Sequence, residues 1–160
     1  MTKLNNVKKL FAFLIIIFIF IFISFNNDKF IDLCSYYNNA SLSVFCENYI
    51  EPNDDLFVAI KNGDSYIIQT KANKASEVLK FLTNCSGFML TFNGTKENIK
   101  NLLSEIKIIK TEKSADIEIF YAYTCGLLYS TVIDGKKVNL QVAINKNVIT
   151  IGSPLILGSY

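Results

Sequence analysis

The sequence predicts an α+β fold standing behind a membrane segment: an N-terminal transmembrane helix, then one domain in which an antiparallel sheet is backed by helices. Three observations predict it. From Leu10 to Phe25 sixteen residues run with a single polar member, Ser24, behind Lys3, Lys8 and Lys9. Between Leu56 and Ile106 two stretches with apolar residues three and four apart alternate with strand-like segments. Beyond Asp116 the apolar period changes to two, and turn-forming dipeptides punctuate it.

As a helix the first stretch measures about 24 Å, short of a roughly 30 Å hydrocarbon core by an amount that snorkelling Lys and Asn side chains or local thinning absorb. Its basic flank keeps the amino terminus in the cytoplasm and sends the remainder across the membrane. Phe22, Ile23, Phe25 and Asn26 crowd the place where signal cleavage needs small residues. The expectation is a single-pass cell-membrane protein with an uncleaved signal-anchor and an extracytoplasmic domain, secreted only if the segment is cut. Residues 1–27 are then the basic tip and anchor. Residues 28–50 are a membrane-proximal helix, on the spacing of Leu33, Tyr36, Tyr37, Leu42, Phe45, Cys46 and Tyr49. Residues 51–160 are the domain proper, entered through the turn Glu51-Pro52-Asn53-Asp54-Asp55.

Inside that domain, Leu56 to Ile60 and Tyr66 to Thr70 read as strands around Asn62-Gly63, which supplies the positive φ of a tight hairpin. Ala75, Val78, Leu79 and Leu82 form a helical stripe behind Asn73 as N-cap, and Gly87 to Phe92 is a short strand. Thr95 caps a second helix with Ile99, Leu102, Leu103 and Ile106 on one side. Asp116 to Tyr123 places Ile117, Ile119, Tyr121 and Tyr123 on one face, and Leu127 to Ile133 leads into the hairpin dipeptide Asp134-Gly135. Val138, Leu140, Val142 and Ile144 then alternate with Asn139, Gln141, Ala143 and Asn145, and Asn145-Lys146-Asn147 returns the chain into Val148 to Gly152.

Charge and residue usage exclude several function classes. Sixteen Lys face fourteen acids over the whole chain, but from Ile31 onward the count is twelve Lys against thirteen acids, so the exported part carries about −1. That part lacks the positive field that replaces counterions along nucleic-acid phosphates, and with no Arg it lacks the bidentate guanidinium fork as well. Nucleic acid is therefore not an expected partner. The chain has no His, which removes Ser-His and Cys-His chemistry and the commonest metal ligand. Cys34, Cys46, Cys85 and Cys125 are spaced too widely for a zinc knuckle, and four Cys leave three disulfide connectivities open. The sequence carries no sign of a metal or cofactor.

The candidate contact residues lie on the polar row of the Val138–Asn145 strand and on its neighbour. Asn139 and Gln141 suit a sheet face that meets a peptide or glycan, and Tyr121 and Tyr123 suit an aromatic patch with polar tips. The same alternation is what any half-solvated sheet shows. A hydrolase working through Asp116, Glu118 and Asp134 is the alternative, and it needs those carboxyls to converge in a cleft.

The carboxy-terminal run Lys137-Val138-Asn139-Leu140-Gln141-Val142-Ala143, then Ile151-Gly152-Ser153-Pro154-Leu155-Ile156 and Gly158-Ser159-Tyr160, resembles the YwmB family of bacterial cell-envelope proteins. The turn Phe92-Asn93-Gly94-Thr95 is similar to that family too, and the likeness extends over roughly Leu56 to Tyr160, with Ser159 where the family has Glu. The resemblance implies a fold similar to the TATA-box-binding protein and no established activity. Between the two function classes, the expected one is a membrane-anchored, non-catalytic envelope module that binds a protein, peptide or wall component through its exposed sheet face. The shape invites a DNA reading that the acidic balance of the exported part opposes.

Overall fold

Eight strands hydrogen-bond edge to edge into one antiparallel sheet with three short helical segments, an α+β fold. The computed structural model describes residues 29–52 and 54–157. The expected anchor, Leu10 to Phe25, and the last three residues lie outside the described residues. Among the described residues no helix is long and apolar enough to cross a membrane.

In chain order the elements are α1 (29–36), β1 (Ser41–Tyr49), β2 (Val58–Asn62), β3 (Ser65–Lys71), α2 (Ala75–Val78) between two 3₁₀ turns, β4 (Leu82–Asn93), α3 (Lys100–Glu105) behind the 3₁₀ turn Lys96–Ile99, β5 (Lys107–Lys113), β6 (Ile117–Tyr123), β7 (Thr131–Ile133), β8 (Lys136–Val138), β9 (Leu140–Asn145) and β10 (Val148–Ser153). The large sheet runs β2-β3-β1-β4-β10-β9-β6-β5, and β7 with β8 makes a separate hairpin.

One row of side chains crosses the middle of this sheet in register: Thr70, Leu42, Leu90, Ile151, Val142 and Phe120, on β3, β1, β4, β10, β9 and β6. Ile68, Val44 and Phe88 form a row on one side of it, and Phe92, Ile149 and Ile144 a row on the other. The helical segments bury their apolar residues in the same cluster: Phe30 and Leu33 from α1 with Tyr37 from the turn after it, Ala75 and Val78 from α2, Ile99 and Leu102 from the α3 region. Phe30 meets Phe88 at 4.4 Å between ring centres, and Tyr37 stacks on Phe92 at 4.6 Å. Each Leu, Ile or Phe buried there contributes about 1.5–3 kcal/mol of transfer free energy.

Turn chemistry agrees with the sequence reading. Gly63 takes φ +62° between β2 and β3, and Asp134 and Gly135 take φ +49° and +72° between β7 and β8, the conformation that Asp-Gly favours in a two-residue hairpin. Thr95 and Asn98 close a capping box, with the Thr95 backbone N–H donating to Asn98 Oδ1 at 2.7 Å. Asn73, expected as an N-cap, lies inside the first 3₁₀ turn and caps nothing.

Four expectations are corrected. Residues 28–50 are not one helix: α1 ends at residue 36, and Ser41–Tyr49 is β1, bonded on both sides to β3 and β4. Because Leu42, Val44 and Cys46 enter the core while Ser43 and Phe45 are also buried, the period of two is erased and the apolar spacing imitates a helix. Residue 51 is accordingly no domain boundary, since the core uses residues from both sides of it. On β6 the buried residues are Phe120 and Ala122, and the regular row Ile117, Ile119, Tyr121 and Tyr123 is the half-exposed face. Phe120 wins because it stands opposite Val142 in the central row. Leu127 to Tyr129 is not strand, and β5, an edge strand with three lysines, gave no apolar pattern.

Beyond β10 the chain folds back on the sheet. A Cβ on Gly152 would sit 2.8 Å from Ile156 Cγ1 and 2.9 Å from its backbone N, so only glycine admits that return. Two substitutions test the arrangement in urea denaturation of the full chain in detergent. Val142→Asp should cost several kcal/mol through an unpaired buried charge. Gly152→Ala should cost about 1–3 kcal/mol by pushing Ile156 off the sheet. A neutral Val142→Asp removes β9 from the core.

Candidate functional site

The second face of the sheet, away from the helices, carries the residues singled out by sequence, and the structure divides them. Asn139 and Gln141 are 1 % and 2 % exposed, so they do not form an open contact surface. Asn139 spends its whole amide on the segment after β6: Oδ1 accepts the Thr124 N–H at 2.9 Å, and Nδ2 donates to the carbonyls of Thr124 at 2.7 Å and Leu127 at 3.3 Å. Gln141 Oε1 accepts the Ile156 N–H at 2.9 Å and so pins the returning tail. Both are corrections to the expected solvent-facing row. Strand alternation reports that a residue is polar, not that a loop backbone will arrive to use its hydrogen bonds.

Tyr121 and Tyr123 remain partly accessible. The Tyr121 hydroxyl donates to Glu112 Oε2 at 3.1 Å. Lys110 joins the same group, 3.0 Å from Glu112 Oε1 and 3.1 Å from Asp134 Oδ2 at the tip of the β7–β8 hairpin. The Glu112 and Asp134 carboxylates raise the Lys110 pKa, and hydrogen bonds from Lys110 and Tyr121 lower that of Glu112. This ion-pair cluster leans the hairpin over the β5 edge of the sheet.

The lean creates a cleft of about 450 Å³ lined by Lys107, Ile108, Ile109, Tyr123, Lys136 and Lys137. Lys107 stands opposite Tyr123 in the β5–β6 register, and Lys137 Nζ lies 5.8 Å from the Tyr123 ring centre. Thirteen lysines fall in the described residues, and six of them pair with acids. Three of the remaining seven converge on this cleft, with no acid in its lining. An anion entering it meets three ammonium groups and one aromatic wall.

A second depression, of about 750 Å³, lies between the end of α1 and β4 and is lined by Tyr36, Asn38, Asn39, Asn93 and Asn98 among others. Its Asn98 Oδ1 is already committed to the Thr95 cap. It holds no charged side chain, so it offers hydrogen bonds without a long-range attraction.

The carboxylates of the hydrolase alternative are apart in their pairings. Asp116 faces Lys146 at 3.9 Å, Glu118 holds Lys96 at 2.9 Å, and Asp134 holds Lys110 at 3.1 Å. None of the three lines the five principal clefts among the described residues. Ser153 ends β10 with its hydroxyl buried and unpartnered among the described residues, ahead of a cis peptide to Pro154.

Of the four sequence candidates, Tyr123 lines one of these five clefts and Tyr121, Asn139 and Gln141 line none of them. Sequence reasoning missed the lysines around it because Lys107 comes from an edge strand and Lys136 and Lys137 from a hairpin; the doublet behind Asp134-Gly135 was the one local signal. The pinning roles are measurable by urea denaturation. Asn139→Ala should lose about 2–3 kcal/mol by orphaning buried backbone groups, and Gln141→Lys should destabilise as well by burying an unpaired ammonium. A neutral Gln141→Lys returns that residue to solvent. Compared with known proteins, no family model matches this chain, and no curated protein matches it.

Proposed function

We propose that the chain is a membrane-anchored, extracytoplasmic binding module of the bacterial cell envelope, non-catalytic and similar to the YwmB family, whose ligand is an anionic wall polymer seated at the Tyr123 cleft. The observation that carries this reading is the convergence of Lys107, Lys136 and Lys137, all without acidic partners among the described residues, on one aromatic-walled cleft. The apolar run Leu10 to Phe25 would hold the domain at the membrane, within reach of polymers outside it.

Three lysines suit a short stretch of a flexible polyanion better than a duplex. Specific duplex readout asks for base-edge donors and a broad phosphate track, and this chain has neither Arg nor a net positive domain. The fold similar to the TATA-box-binding protein is thus proposed as a shape, with DNA outside the function. The buried Asn139 and Gln141 fit the same reading, because they fix the tail and the segment before β7 whose hairpin bears two of the lysines.

The test uses the full chain in detergent and inorganic polyphosphate as the probe, followed by titration calorimetry across a salt series. We expect binding that weakens with a log–log salt slope of roughly −2, as three neutralised charges on a flexible polyanion require. The double variant Lys136→Gln, Lys137→Gln should lose about tenfold or more in affinity, and Tyr36→Ala, in the asparagine-lined depression, should leave it unchanged. In cells, protease added to intact protoplasts should remove the domain. Affinity insensitive to the two lysines, or a domain protected in protoplasts, contradicts the proposal.

A further inference from the structure

The four cysteines are free thiols, and two of them face each other across adjacent strands. In the β1–β4 ladder Val44 stands opposite Phe88 and Phe45 opposite Gly87; then the register slips, and Cys46 stands opposite Cys85. Ser86 is the extra residue of this β-bulge. Without the slip Cys46 would face Ser86, and Cys85 would point to the other side of the sheet. With it, Cys46 is buried in the core cluster and Cys85 packs against the same cluster. Asn84, with φ +52°, stands beside the bulge and donates from Nδ2 to Glu47 Oε2 at 2.9 Å, clamping the same two strands one residue further on.

We propose that Cys46 and Cys85 are the site of a cross-strand disulfide. Facing residues of an antiparallel pair have Cα atoms about 4.5–5.5 Å apart, inside the roughly 4.4–6.8 Å span that a disulfide bridges. Neither other cysteine has such a partner: Cys34 is buried on α1, and Cys125 is exposed in the segment after β6. The connectivity left open by spacing alone is thereby reduced to one.

The order of events follows from access. Cys85 lines a cleft of about 290 Å³ together with Leu79, Leu82, Leu127 and Tyr129, while Cys46 is 1 % exposed. The oxidant is a low-molecular-weight disulfide. The Cys85 thiolate attacks one of its sulfurs, forming a mixed disulfide and releasing one small thiol. Cys46 Sγ, deprotonated, then attacks Cys85 Sγ and expels the second small thiol. The two protein thiols lose two protons and two electrons, and the small disulfide is reduced to two thiols. Burial and the adjacent Cys46 push the Cys85 thiol up to about 11, so this exchange is slow at neutral pH and base-accelerated. The bond would close a loop around β2, β3 and the α2 region, tying the β2 side of the sheet to its centre.

The experiment incubates the full chain in detergent with oxidised glutathione, alkylates remaining thiols, and maps chymotryptic peptides by mass spectrometry. Chymotrypsin has sites at Tyr36, Tyr37 and Leu42, which separate Cys34 from Cys46. We expect one cross-linked product joining Cys46 to Cys85, retained in Cys125→Ser. It should form about tenfold faster per pH unit between roughly pH 7 and 9, and raise the melting temperature by roughly 5 °C or more. Cys85 joined to Cys125 or Cys34, glutathione retained on Cys85, or both thiols unreacted until the protein is denatured would each overturn the proposal.

Discussion

The in-register row from Thr70 to Phe120 is the constraint on which the rest of this structure depends. Six strands contribute one side chain each, and a slip of one residue in any of them would turn its apolar set to the opposite face. β1 stands inside that row. It joins the β2–β3 hairpin to β4, so the segment just behind the expected anchor is part of the core. The folded core therefore begins at the start of the described residues, with α1 laid over the sheet through Phe30 and the turn behind it through Tyr37.

The second face of the sheet is finished by backbone instead of by helices. Gln141 takes the Ile156 N–H, Asn139 takes three polar groups of residues 124–127, and Gly152 leaves room for the tail to lie flat. Buried amides are stabilising only when their hydrogen bonds are used, and here they are used on irregular segments that would otherwise be loose. The consequence for function is positional. The β7–β8 hairpin springs from a fixed segment, Lys110 anchors its tip, and the lysines of β8 are presented beside Tyr123 at the sheet edge.

How much of this was legible in the sequence varied with how local the physics is. The Asn62-Gly63 and Asp134-Gly135 turns and the Thr95 cap were legible because their backbone requirements are met within a few residues. The α+β class followed from them. β1 was illegible because a central strand buried on both faces loses its alternation, and β5 because a lysine-rich edge strand never has any. Asn139 and Gln141 were misplaced for a different reason: the groups they satisfy arrive from chain fifteen positions away. The lysine cleft and the facing cysteines depend on strand register, and in the second case on a bulge, which residue spacing does not encode.

The central position of β1 is tested most directly by amide hydrogen exchange on the full chain in detergent, read residue by residue. If β1 is bonded on both sides, the amides of Leu42, Val44 and Cys46 exchange among the slowest in the protein, together with those of Leu90, Ile151 and Val142. Exchange of the Ser41–Tyr49 amides at the rate of an exposed, fraying helix, while β4 and β10 stay protected, would contradict the account.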